Sequence, residues 1–163
     1  MNRKPIIAVV GAGREIDRAV TDARTLGRFV GENGWVLITG GRDAGVMRAA
    51  NEGAKQAKGS LTIGILPSGN AGVSPSVDVA IVTDTGEARN NIIVLTADVV
   101  IACGVDGAGT ASEVALALKN GKHVILVGVN EATRKFFVGI GGEKIHVVTS
   151  PDEAMETAKG LIA

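Results

Sequence analysis

The sequence predicts an α/β fold: a three-layer sandwich with a central, mostly parallel sheet of about seven strands, carried by one domain over residues 1–163. Three observations lead there. Short apolar runs alternate with longer segments of helical periodicity, the strand runs are apolar on both faces, and most of them end in glycine-rich turns.

Ile6 to Val10 is the first strand, and Gly11-Ala-Gly13 turns the chain out of it. Asp17 to Gly31 is a helix with Ala19, Val20, Ala23, Leu26 and Val30 on its inner stripe, stopped by Asn33-Gly34. Trp35 to Thr39 is the second strand, followed by Gly40-Gly-Arg-Asp-Ala-Gly45. A helix from Asp43 or Ala44 to Lys58 buries Val46, Met47, Ala50 and Ala54 and ends at Gly59. Leu61 to Leu66 and Val79 to Val82 are the third and fourth strands. Residues 67–77 between them, rich in Pro, Gly and Ser, are a loop that serves as an ordinary connection or as a flap over a site. Ala88 to Thr96 is a short helix, required despite its β-branched content because it links parallel strands. Val99 to Cys103 is the fifth strand, and a helix through Val114, Leu116, Ala117 and Leu118 runs to Lys119. His123 to Val127 is a strand, Glu131 to Val138 a helix, Ile145 to Val148 the last strand, and Pro151 to Ile162 a terminal helix with proline in its first turn.

Composition excludes several classes. Seventeen basic and seventeen acidic residues balance, so no global basic footprint marks a nucleic-acid or membrane partner. Phe29, Trp35, Phe136 and Phe137 are the only aromatic residues, too few for base-stacking platforms. Cys103 stands alone, which rules out an internal disulfide and a multi-cysteine zinc site. It reads as a small buried residue, with contact of its thiol to a ligand as the less favoured reading. His123 and His146 lack a carboxylate, serine or cysteine partner at a recognisable spacing and read as structural, and no metal site is expected. No signal peptide or apolar span is present, so the expected location is the cytoplasm.

In parallel sheets ligands bind beyond the carboxyl ends of the strands. That rule gathers Gly11-Ala-Gly13, Gly40-Gly-Arg42, Pro67-Ser-Gly69, Thr83 to Arg89 and Gly104 to Thr110 at one edge, where Gly11, Gly13, Gly40, Gly41, Arg42, Arg89, Asn90, Gly107, Ala108, Gly109, Thr110 and Glu113 are the candidate ligand contacts. The turn Gly104 to Thr110 hands a strand to a helix, whose first-turn N–H groups are unpaired and lie at the positive end of the peptide dipoles. Gly107 and Gly109 let a phosphate approach the main chain, while Thr110 can cap the helix or offer its hydroxyl. Arg42 and Arg89 are candidate oxyanion clamps or surface arginines. Asn90 and Asn91 read a heterocycle's amide edge or cap a helix. Glu113, three residues after Thr110, closes a capping box or faces the pocket as an acceptor or general acid/base. Gly11-Ala-Gly13 lacks the third glycine of the dinucleotide fingerprint, which makes NAD a weak candidate.

Gly40-Gly-Arg-Asp-Ala-Gly-Val-Met47, Glu87-Ala-Arg-Asn-Asn91 and Gly107-Ala-Gly-Thr-Ala-Ser-Glu113 resemble motifs of the Rossmann-like superfamily that includes the Lonely-guy, lysine-decarboxylase-like phosphoribohydrolases. Within it the chain looks most like the molybdenum cofactor carrier proteins. Lys4-Pro-Ile-Ile7, Gly34-Trp35, Leu37 to Arg42, Gly45-Val-Met47, Val82-Thr83, Gly109 to Lys119 and Phe136-Phe137 carry that closer likeness. The resemblance implies a non-catalytic carrier that binds, stores and protects the molybdenum cofactor (molybdopterin), a small anionic ligand. Its phosphate would suit the amides of Gly107 to Thr110; its molybdenum end would suit Arg42, Arg89 or the Gly11 and Gly40 turns. Cofactor-synthesising or acceptor enzymes are the implied partners, and a homo-oligomer, dimer or tetramer, the implied assembly. The alternative is hydrolysis of a nucleoside 5′-monophosphate, with Arg89 and Glu113 in the catalytic positions of the phosphoribohydrolases. Against it, Asn90 replaces their lysine, and Gly104-Val-Asp-Gly107 replaces their proline and paired glycines.

Overall fold

The computed structural model describes residues 3–162. Within them seven strands and six α-helices follow one another: β1 (Ile6–Gly11), α1 (Asp17–Glu32), β2 (Val36–Thr39), α2 (Gly45–Ala54), β3 (Leu61–Leu66), β4 (Val79–Val82), α3 (Arg89–Thr96), β5 (Val99–Cys103), α4 (Ala108–Lys119), β6 (His123–Val127), α5 (Glu131–Gly141), β7 (Ile145–Val148) and α6 (Pro151–Ile162). The strands form one sheet in the order β4-β3-β2-β1-β5-β6-β7, and every neighbouring pair is parallel. The expected Rossmann-like sandwich is present, with a sheet that is wholly rather than mostly parallel.

Alternation along the central strands divides the core. Ile7, Val9, Leu37, Ile101 and Ile125 pack with α1, α2 and α6. Ala8, Val10, Ile38, Val100 and Leu126 pack with α3, α4 and α5. Successive side chains of a strand point to opposite faces, so strands covered on both sides are apolar at every position.

Chain direction across the sheet produces the crevice. From β1 the chain moves outward through β2 and β3 to β4, then returns over the sheet through α3 to β5, beside β1. The connections after β1 and β5 therefore diverge, leaving a gap beyond their carboxyl ends at the point where strand order switches. Close packing of α1 on α2 shapes one wall. A Cβ at Gly27 would overlap the Ala50 carbonyl oxygen, and one at Gly53 the Arg24 carbonyl oxygen. Backbone lies against backbone there, and Val46 N–H donates to the Ala12 carbonyl at 3.0 Å, tying α2 to the turn after β1.

Three local expectations are corrected, and the choice left open at residues 67–77 is decided. The second helix stops at Ala54, not Lys58: Gln56 and Ala57 bond back three residues, to Gly53 and Ala54, so the chain tightens out of the α-helix. α4 starts at Ala108, with Gly107 as its extended N-cap residue, so Thr110 lies inside the first turn and caps nothing. α5 continues past Val138 to Gly141, where Leu118 and Ile145 pack so closely that a Cβ would crowd them. Residues 67–77 are fastened down, with Ser74 N–H on the Gly41 carbonyl at 2.9 Å and Asp43 N–H on the Gly72 carbonyl at 3.0 Å. They form an ordinary connection, and none of them lines the cavity described next.

Candidate functional site

A cavity of about 420 Å³ opens at the carboxyl ends of β1, β2 and β5. That volume falls within the ~300–1,000 Å³ usual for small-molecule sites. Gly11, Gly13, Gly40, Arg42, Arg89, Asn90, Gly107, Gly109, Thr110 and Glu113, all singled out in the sequence, line it together. Two expected members do not. Gly41 has φ +72° and packs against Gly64, so it belongs to the sheet edge; Ala108 is exposed beside the cavity. Val10, Ala12, Arg14, Met47, Glu87 and Asp106 complete the lining; Ala12, Glu87 and Asp106 fall within the stretches expected at this edge, though none of the six is named there as a ligand contact. Arg14, Glu87 and Asp106 lie inside or next to the turns named in the sequence, which was the available signal. Met47 was assigned to the core stripe; at 7% exposure it is buried and also reaches the cavity.

The wall made by α4 is a helix N-terminus. Ala111 N–H bonds the Gly107 carbonyl at 3.1 Å, so the first main-chain N–H groups of the helix precede the intrahelical ladder. A Cβ at Gly107 or Gly109 would meet no protein atom within 4 Å, so the space in front of these residues is open. The Thr110–Glu113 capping box does not form, because the N-cap position belongs to Gly107. Glu113 faces the cavity instead, 8% exposed. Burial pushes its carboxyl up to about 7; the Arg89 charge opposes that rise and the Glu87 charge adds to it.

Arg89 enters from the start of α3 and is 4% exposed. Its Nη1 donates to the carbonyls of Gly40 and Ile65, both at 2.9 Å, while Nε has no partner. A Cβ on Gly40 would collide with this guanidinium, so Gly40 makes room for Arg89. Burial lowers the pKa of Arg89 and the Arg42 charge lowers it further, against the pull of Glu87 and Glu113. One nitrogen thus serves the main chain, while the other edge of the guanidinium, Nε included, is left for a guest. Arg42, exposed at the mouth, has no such commitment to the main chain. Asn90 is buried with its Oδ1 unpaired, and it does not cap α3. Asn91 is exposed and lies outside the lining. Arg14 reaches across the mouth, its Nη2 donating to the Asp106 carbonyl at 3.1 Å.

Cys103 ends β5 fully buried and does not line the cavity; burial raises its thiol pKa. The two histidines pair with each other, His123 Nδ1 lying 3.0 Å from His146 Nε2, and Lys144 Nζ stands 3.2 Å from His123 Nε2. Burial lowers both imidazole pKa values, and the neighbouring positive charges lower them further. Among the described residues no group of three or more His, Cys, Asp or Glu is placed to hold a metal ion.

An all-parallel sheet with its crevice at the switch point and a helix N-terminus in the wall defines a Rossmann-like α/β protein, with a cavity at the place where such sheets take small ligands. The chain belongs to the SLOG cluster4 family, which residues 4–155 match, and to the family of molybdenum cofactor carrier proteins. It is similar to the molybdenum cofactor binding protein of the phototrophic bacterium Rippkaea orientalis, at 49% identity over 99% of each chain and a TM-score of 0.93. It is also similar to the molybdenum cofactor carrier protein of Chlamydomonas reinhardtii, at 43% identity over 98% of this chain and 99% of that one, again with a TM-score of 0.93. A protein of Archaeoglobus fulgidus described as uncharacterized is 42% identical over 149 residues, 91% of each chain. Among the described residues no helix is long and apolar enough to cross a membrane.

Proposed function

We propose that this protein binds the molybdenum cofactor as cargo, holding and protecting it without breaking a bond in it. The observation that carries this reading is likeness over nearly the whole chain to two proteins that bind or carry this cofactor. The cavity is compatible with such a guest. Its terminal phosphate suits the first-turn N–H groups at Gly109 and Thr110, with the Thr110 hydroxyl beside them. Arg42 and the charge of Arg89 suit the anionic molybdenum end. Val10 and Met47 offer apolar contact to a flat heterocycle, and Asn90 a polar one to its rim. Handover to a cofactor-synthesising or acceptor enzyme in the cytoplasm belongs to the same reading. So does a homo-oligomer, for which the exposed Ile92 and Leu95 of α3 and Phe136 and Ile140 of α5 supply apolar surface.

Cofactor released from a molybdoenzyme, mixed with the protein and separated by gel filtration, tests this. Molybdenum and pterin are expected to co-elute with the chain at about one per subunit at micromolar protein. Failure to co-elute would remove the carrier reading. Free base released from adenosine 5′-monophosphate, and lost in Glu113→Gln, would replace it with phosphoribohydrolase turnover.

A further inference from the structure

We propose that the cavity takes up its anionic cargo together with one proton, which the Glu113 carboxyl receives, so that cargo is held more tightly below neutral pH than above it. The inference rests on the reading of the cavity as an anion site and adds how that site is regulated.

The geometry sets up the conflict. Thr110 and Glu113 are three residues apart on α4 and therefore share a helix face, and both line the cavity. An anion seated on the first turn of α4 lies beside this carboxyl. The other charged groups around the cavity are Arg14 from the turn after β1, Arg42 from the turn after β2, Glu87 and Arg89 at the entry to α3, and Asp106 before α4. Three arginines therefore face three acids, and with Glu113 ionised they cancel. With Glu113 protonated, one positive charge remains to meet the cargo. Nor does an arginine hold Glu113 firmly in its ionised form. Arg89 acts on it through charge alone, with Nη1 committed to two carbonyls, and Arg14 spends an Nη2 bond on the Asp106 carbonyl.

Burial has already brought the carboxyl to about 7 in the unliganded protein, so protonation costs little. A second negative charge in a site shielded from water raises it further. If cargo requires the protonated form, affinity at pH 8 is about tenfold lower than at pH 6, because the protonated fraction falls by that factor across the window. A carrier built this way loosens its cargo as the local pH rises.

Isothermal titration with the air-stable oxidised phosphopterin prepared from the cofactor, at pH 8 in two buffers of different ionisation heat, counts the protons. The phosphate monoester brings its own ionisation near pH 6, equally for wild type and Glu113→Gln, so the difference between them isolates Glu113. The wild type is expected to take up about one proton more than the variant, and its affinity to fall about tenfold from pH 6 to pH 8 while that of the variant follows only the phosphate. Equal proton uptake and parallel pH profiles would overturn the proposal. Should the variant fail to fold, the Glu113 carboxyl carbon is titrated by NMR in the wild type with and without the phosphopterin. An upward shift of its midpoint on binding supports the proposal, and an unmoved midpoint overturns it. Binding with no extra proton leaves the carrier reading intact; no phosphopterin binding even at pH 6 overturns the proposal, and the carrier reading then stands or falls with co-elution of the intact cofactor.

Discussion

Replacing Glu113 with glutamine tests the electrostatics of the cavity through folding stability alone. The carboxyl is raised from 4.5 to about 7 in the folded chain, whereas the unfolded chain leaves it near its ordinary value. Between those two pH values the native state holds a proton that the unfolded state has released. The contribution to stability is thus fully present below pH 4.5 and is lost as pH rises through 7. At 1.36 kcal/mol per pH unit the loss approaches ~3 kcal/mol, most of it between pH 5 and pH 8. Glutamine cannot ionise and does not suffer it. Urea unfolding of both proteins, followed by Trp35 fluorescence from pH 5 to pH 8, should show the variant gaining on the wild type by ~2–3 kcal/mol across the window. In thermal melts that amounts to a relative shift of roughly 5–10 °C for a chain of this size. His123 and His146 act in the opposite sense: their lowered pKa values stabilise the fold above their ordinary 6.5, and that benefit is lost as pH falls through the folded values. Both proteins carry them, so the difference cancels their effect. A gap that stays constant within ~0.5 kcal/mol from pH 5 to pH 8 would refute the reasoning, because Glu113 would then titrate alike in both states.

Two glycine substitutions separate fold from site. Gly27→Ala drives a methyl group into the Ala50 carbonyl at the α1–α2 crossing and should cost about 3 kcal/mol or more in chemical unfolding, since two helix backbones must part. Gly109→Val meets no protein atom and should leave the melting temperature within a few degrees, yet weaken phosphopterin binding at least ~10-fold by covering first-turn N–H groups, as measured by calorimetry.

The central strands β1, β2, β5 and β6 were legible because burial on both faces makes them almost wholly apolar, and the edge strand β4 because it is apolar although exposed. The ends of helices were less so. Lys55 to Lys58 has helix-forming composition, yet Lys55 turns toward Asp78 and the Ser60 carbonyl, a tertiary contact that no local propensity encodes. Gly139 and Gly141 look like breakers, yet α5 runs through them to close against Leu118 and Ile145. At the site, the glycine turns and the residues Arg42, Arg89, Asn90 and Glu113 were readable from their place after strand ends. The bonds from Arg89 to Gly40 and Ile65 were not, since they join positions 49 and 24 residues apart. Nor could the sequence choose between a capping and a cavity-facing Glu113. That choice turned on whether the N-cap of α4 is Gly107 or Thr110, because only a cap at Thr110 puts Glu113 at the third helical position from which a carboxylate reaches back to the cap.

The glycines at this edge fall into two groups, and the division says where a ligand belongs. A Cβ on Gly11 would press on Val46, one on Gly40 on Arg89 and Met47, and one on Gly41 on Gly64. Those residues are small because protein fills the space beside them, so their occurrence in a glycine-rich turn carries no information about a guest. Gly107 and Gly109 are different: each would carry a side chain into open space, with no packing demand from the fold. Gly107 has φ −172°, extended backbone that any residue adopts, and Gly109 sits inside a helix, where alanine would be more stable by ~1 kcal/mol. Gly139 of α5 and Gly160 of α6 are equally open, so what sets Gly107 and Gly109 apart is that they also line the cavity. Under the carrier reading proposed above, a phosphate-bearing guest would meet the backbone at the first turn of α4 rather than at the turns after β1 and β2, with Glu113 one helical turn beyond it.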